Sequence, residues 1–99
     1  MFIKKEQEDK KVTLSVVGRL DTETAPQFDE EFKKVDGDVT ELVVNMDHLE
    51  YVSSAGLRAL LAAHKAMAKR GGSMVVTNVG EVVNEVFEVT GFSDILTIQ

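Results

Sequence analysis

The sequence has no cysteine, which excludes a disulfide framework and any thiolate nucleophile or ligand. No apolar run approaches the roughly 18 residues of a membrane span, and Met1-Phe2-Ile3-Lys4-Lys5-Glu6 has no signal-peptide core. A cytoplasmic protein away from the membrane is therefore expected. Basic residues are few, with 11 Lys and Arg against 17 Asp and Glu and a net charge of −6. That balance excludes a broad nucleic-acid surface and favours partners with basic patches.

Catalytic signatures are missing too. No G-x-S-x-G elbow surrounds Ser53 or Ser54, and there is no Walker A loop or G-x-G-x-x-G fingerprint. The two histidines, His48 and His64, lack metal-ligand spacing. No cofactor, no metal and no enzymatic activity are expected. His64 reads as a core-edge histidine on an apolar helix face. Gly71-Gly72-Ser73 follows a helical pattern and precedes a strand, an order that suits a helix C-cap and not a phosphate cradle.

What is present is an alternation of strands and helices within 99 residues, a length for one domain over residues 1–99. Phe2-Ile3 begins a strand, Gln7 to Lys10 is a polar turn, and Val12, Leu14 and Val16 alternate with Thr13 and Ser15. The two segments predict an antiparallel hairpin, and Gly18-Arg19-Leu20-Asp21 is expected to leave it. Thr24 and Gln27 have capping-box spacing with Pro26 in the first turn. Ala25, Phe28, Phe32 and Val35 follow at helical intervals, and Asp36-Gly37-Asp38 stops the helix.

Leu42-Val43-Val44 is a continuous apolar run of the kind covered on both faces of a parallel sheet. A second helix carries Leu57, Leu60, Leu61, His64, Met67 and Ala68 as its apolar stripe and ends at Gly71-Gly72. Met74-Val75-Val76 predicts another strand. Val82, Val83, Val86 and Phe87 predict a third helix with Glu81, Glu85 and Glu88 outward. Ile95, Leu96 and Ile98 predict a last strand. The order ββαβαβαβ implies an α/β fold with a mixed β-sheet and helical crossovers.

Tyr51-Val52-Ser53-Ser54-Ala55-Gly56-Leu57 carries the most functional information. It puts two serines at the mouth of a helix, where unpaired N–H groups and the positive dipole end collect. A serine there caps the helix or carries a phosphate; the local sequence allows both.

The run from Leu42 through Asn45, Asp47, Tyr51 and Ser54 to Leu57 resembles the anti-sigma factor antagonists of the bacterial STAS domain family. That family's pattern is an apolar strand and a loop ending in Asp-Ser-Ser/Thr-Gly-Leu before a helix. Gly18-Arg19-Leu20-Asp21-Thr22-Glu23-Thr24-Ala25 looks like its Gly-x-Leu/Ile-Asp-x-x-Thr-Ala. Gly71 to Val76 and Val86 to Phe92 resemble its later segments. The resemblance spans nearly the whole chain and implies a STAS-like fold.

It also implies a mechanism, partner switching. The unphosphorylated antagonist binds an anti-sigma factor that is also a serine kinase, freeing a sigma factor. Phosphorylation separates the pair, and a serine phosphatase resets it. Carried onto this chain, the phosphoacceptor is Ser54, in a loop with Ser53, Ala55 and Gly56. The partner-binding rim is Asp21, Thr22, Val52, Ser53, Ser54, Leu57 and Arg58, on a chain that is a monomer when free.

Asp21 reads equally as a plain turn residue. Ser53 stands where the family has Asp, and Ala55 where it has Ser or Thr, so Ser53 is a competing acceptor. The chain ends at Gln99, where many family members continue into a fourth helix, so the last strand is expected to leave an open edge. The sequence leaves two other readings open: a scaffold subunit whose surface assembles without switching, and a small hydrolase using Ser54 with His48.

Overall fold

In the computed structural model, which describes residues 1–99, strand β1 (Phe2–Glu8) pairs antiparallel with β2 (Lys11–Leu20). The expected hairpin forms. Its turn places Asp9 at φ 56, a left-handed conformation that Asp tolerates better than most residues. Beyond β2 the sheet continues with β3 (Glu41–Asn45), β5 (Ser73–Thr77) and β6 (Thr97–Ile98), all parallel to β2. Between β3 and β5 in sequence lies β4 (Leu49–Val52), paired with the far end of β2.

The mixed α/β sheet is as expected, but the order holds one strand more, ββαββαβαβ. Leu49–Val52 is a strand and not a polar link, because Leu49 and Val52 are both buried. Nor does β2 end at Gly18. At φ 103 that glycine bends the strand, the register shifts between Gly18 and Arg19, and β2 exchanges β3 for β4 as its neighbour. The pairing skips Glu50, so the extra residue of this irregularity lies in β4, opposite the step from Gly18 to Arg19.

Three helices, α1 (Ala25–Lys33), α2 (Ser54–Lys69) and α3 (Glu81–Thr90), cover one face of the sheet. Each crossover steps across the sheet in the same direction, and right-handed crossovers then land on the same side. This corrects the expectation for β3. Leu42 and Val44 are buried, but Val43 between them is only half-buried, and Val75 stands likewise between buried Met74 and Val76. The opposite face, with Thr13, Ser15, Asn45 and Thr77, has no helix over it.

The α2 stripe is also redistributed. Leu57, Leu60 and Met67 are buried with Ala59 and Ala63, whereas Leu61 and His64 are half-buried and Ala68 is exposed. On α3, Val83 and Phe87 are buried and Val86 half-buried, but Val82 is 58% exposed. Glu81, Glu85 and Glu88 face outward. Ile95 is exposed after a short 3-10 turn at Phe92–Asp94, and only Thr97–Ile98 completes the last strand. No polar or charged residue belongs to the buried core. No helix is long and apolar enough to cross a membrane.

Candidate functional site

The exit of β4 into α2 is clamped to the end of β2. Leu20 pairs with Val52 across the strands, and the Ser53 amide donates to the Leu20 carbonyl at 2.9 Å. Ser53 keeps an extended backbone and its Oγ accepts from the Gly56 amide at 3.3 Å. Its carbonyl accepts from Leu57 at 2.8 Å, the first helical turn. Ser53 is therefore the N-cap of α2. That assignment settles which serine caps: Ser54, one residue later, is the first residue of the helix and is exposed. Its hydroxyl enters none of the hydrogen bonds of this turn.

Gly56 makes the approach possible. A Cβ there would lie 2.5 Å from the Leu20 carbonyl oxygen and 2.9 Å from both Leu20 Cγ and Val52 Cγ2. No side chain larger than hydrogen lets α2 begin this close to β2. Leu57 then turns into the core, and Arg58 points to solvent.

The neighbouring turn is built on Asp21. Its Oδ1 accepts from the Glu23 amide at 3.0 Å, the Thr24 amide at 3.2 Å and the Thr24 hydroxyl at 3.2 Å. In return the Asp21 amide donates to Thr24 Oγ1 at 2.8 Å, and the single proton of that hydroxyl is shared between Asp21 Oδ1 and the closer Arg19 carbonyl at 2.8 Å. Thr24 precedes α1 without making a side-chain cap bond, so the expected capping box with Gln27 does not form; its hydroxyl is committed to the Asp21 loop. Desolvation pushes the Asp21 pKa up, but the Thr24 and Glu23 amides, the Thr24 hydroxyl and the Arg19 charge outweigh it. The carboxyl is held below its ordinary value of 3.8. Asp21 thus has a structural role as the anchor of its turn, and Thr22 is exposed beside it.

The structure places Asp21, Thr22, Val52, Ser53, Ser54, Ala55, Gly56, Leu57 and Arg58 around one junction, where β2 and β4 end and α2 begins. Val52, Gly56 and Leu57 are buried, so, against the expectation that Val52 and Leu57 belong to the partner-binding rim, they shape the junction without presenting side chains to a partner. Two contributors are not legible in the sequence. Leu20 supplies the anchoring carbonyl. Arg19 stacks 4.4 Å over the Tyr51 ring and lies 3.7 Å from Asp21 Oδ2. Only the β2–β4 pairing brings Arg19 beside Tyr51, and no local pattern announces a contact so distant in sequence.

The Ser54–His48 hydrolase reading is overturned by β4 itself. His48 precedes that strand and Ser54 follows it. Four extended residues at about 3.3 Å each separate them by more than ~13 Å, far beyond proton-transfer reach. His48 is solvent-exposed next to Asp47. The ring of His64 is half-buried on α2 and its Nδ1 has no hydrogen-bond partner. No cavity is lined by Ser53 or Ser54. The junction is open to solvent at Thr22, Ser54 and Arg58.

Comparison with known proteins agrees with this architecture. The STAS domain family model matches residues 2–99. The anti-sigma-B factor antagonist of Bacillus subtilis is 26% identical over 93% of this chain and 84% of its own length. Its Staphylococcus aureus counterpart is 27% identical over 92% of this chain and 85% of its own length. An anti-sigma factor antagonist from Mycobacterium paratuberculosis superposes with a TM-score of 0.85 at 26% identity, covering 98% of this chain and 83% of that one. The fold is also shared with the antagonist SpoIIAA in its unphosphorylated form, TM-score 0.78 at 18% identity over 99% of this chain and 87% of that one.

Proposed function

The chain belongs to the STAS domain family, and from that premise we propose that it is an anti-sigma factor antagonist that switches partners through Ser54. In its unmodified form the rim around α2 binds an anti-sigma factor with serine kinase activity, and a sigma factor is released. Phosphorylation of Ser54 ends that complex, and a serine phosphatase restores the binding form. The proposed site of action is the cytoplasm, where these partners and RNA polymerase meet.

The observation that carries this reading is the division of labour between the two serines. Ser53 Oγ is committed to the Gly56 amide, whereas the Ser54 hydroxyl is exposed at the first position of the helix. In the transfer, Ser54 Oγ attacks the γ-phosphorus of ATP held by the kinase. The hydroxyl proton passes to a base of the kinase and the bond to the ADP oxygen breaks. The helix dipole tolerates the product, favouring an exposed anion by about 0.3–1 kcal/mol. The fold therefore survives, while the partner meets about −1.5 to −2 new charges in the contact. A loss of ~3 kcal/mol there weakens binding more than 100-fold, enough for a switch.

The test is a reaction with the cognate kinase and ATP followed by peptide mass mapping and affinity measurement. One phosphate on Ser54 with loss of binding supports the reading. Phosphate mainly on Ser53, or a phosphorylated protein that binds undiminished, refutes it. Assembly into a higher-order complex that ignores phosphorylation would favour the scaffold alternative.

A further inference from the structure

We propose that Arg58 is the positioning residue for the phosphate on Ser54, pairing with it across the first turn of α2 so that modification changes Arg58 from a free cation into a neutralised one. The inference rests on the proposed role of Ser54 as acceptor and adds the residue that answers the new charge.

Three observations lead to it. The chain has three arginines, and two are occupied. Arg19 stacks on Tyr51 and pairs with Asp21. Arg70 lies over Phe32 and donates to the carbonyls of Asp36 and Val39. Arg58 alone enters no ion pair, side-chain hydrogen bond or ring contact, and it is exposed.

Its spacing is the second observation. Ser54 and Arg58 are four residues apart in one helix and so are neighbours on its surface. An anion N-terminal to a cation is the favourable orientation of such a pair. A guanidinium also matches a phosphate with two parallel donors, which a lysine ammonium does not.

The third observation is the shortage of backbone donors. At the start of α2 the Ser53 amide is bonded to Leu20, the Gly56 amide to Ser53 Oγ and the Leu57 amide to the Ser53 carbonyl. Only the Ser54 and Ala55 amides remain free of these bonds, too few for the oxygens of a dianionic phosphate. A side-chain cation within reach completes the set, and Arg58 is the one in the next turn. The consequence is a two-way effect of one modification: a charge appears at Ser54, and a cation on the partner-facing rim is withdrawn from the partner.

The experiment uses the full chain with phosphoserine installed chemically at position 54, so no kinase is needed. The titration of the phosphate, ordinarily near pH 6, is followed by phosphorus NMR in the wild type and in Arg58→Gln, Arg58→Lys and Lys69→Gln. The expected result is a midpoint lower in the wild type than in Arg58→Gln by roughly 0.3 pH units or more, an intermediate value for Arg58→Lys, and no change for Lys69→Gln. Equal midpoints in the wild type and Arg58→Gln overturn the inference, as does an equal response to Lys69→Gln. A kinase that ignores Ser54 would refute the partner switch and leave this titration unaffected, so the two failures are distinguishable.

Discussion

Gly56 and the Leu20 carbonyl are in such close approach that a single added methyl would stand 2.5 Å from the oxygen. The contact sits under the helix start that presents Ser54, so the site depends on the absence of one carbon. Gly56→Ala forces α2 away from β2. Overpacking of a tight contact costs about 1–3 kcal/mol, here against rigid backbone. Denaturant unfolding checks this, and a stability equal to wild type would show that the junction yields freely.

The two serines separate by function in a stability measurement. Ser53→Ala removes the cap to Gly56 and costs roughly 1 kcal/mol. Ser54→Ala removes an exposed hydroxyl outside those bonds and stays within about ±0.5 kcal/mol. The reverse ranking would assign the cap to Ser54. In partner binding, Ser54→Ala is expected to keep the affinity and lose phosphorylation.

Ser54→Asp places a negative charge at the first position of α2, next to the dipole end that favours it. The variant is expected to melt at or above the wild-type temperature and to bind the anti-sigma factor more weakly than wild type by a factor approaching 100. Calorimetric titration beside a thermal melt checks both. Full affinity in a folded Ser54→Asp protein would remove charge as the switch.

Asp21 links stability to pH. Its folded pKa lies below the ordinary 3.8, so its ionised form stabilises the native state above that value. The contribution is lost as the pH falls through the depressed folded pKa. The stability margin of the wild type over Asp21→Asn is expected to be constant above about pH 5 and to narrow below it. Urea titrations across that range decide it. A margin that widens on acidification would mean that the carboxylate is not stabilised by the Thr24 and Glu23 amides.

Amide exchange in the presence of the anti-sigma partner is expected to protect the junction: the Asp21–Thr22 turn, the end of β4, and α2 through Arg58. These segments meet where Ser53 is tied to Leu20. Protection confined to the outer face of α3, at Glu81, Glu85 and Glu88, would move the docking surface elsewhere and favour the assembly reading.

The periodicities of the sequence specify most of the framework, because alternation along β2, helical spacing in α2 and α3, and the glycines after α2 and α3 are local signals. The two serines at a helix mouth are legible in the same way. Their division of labour is not, since Ser53 and Ser54 have the same chemistry and only the backbone at Ser53, extended at ψ 176, turns one toward Gly56 and leaves the other in solvent. Asp21 and Thr24 have readable spacing, yet their reciprocal hydrogen bonds displaced the capping box that the same threonine suggested. The strand at Leu49–Val52 escaped detection because four residues with a polar lead-in carry little period, and its stability comes from pairing with Gly18–Leu20. Local patterns set the order of most elements and the place of the serines. Tertiary structure decided that every helix shares one face, that Arg19 stacks on Tyr51, and that Gly56 must be bare, because each of these depends on contacts between segments distant in the chain.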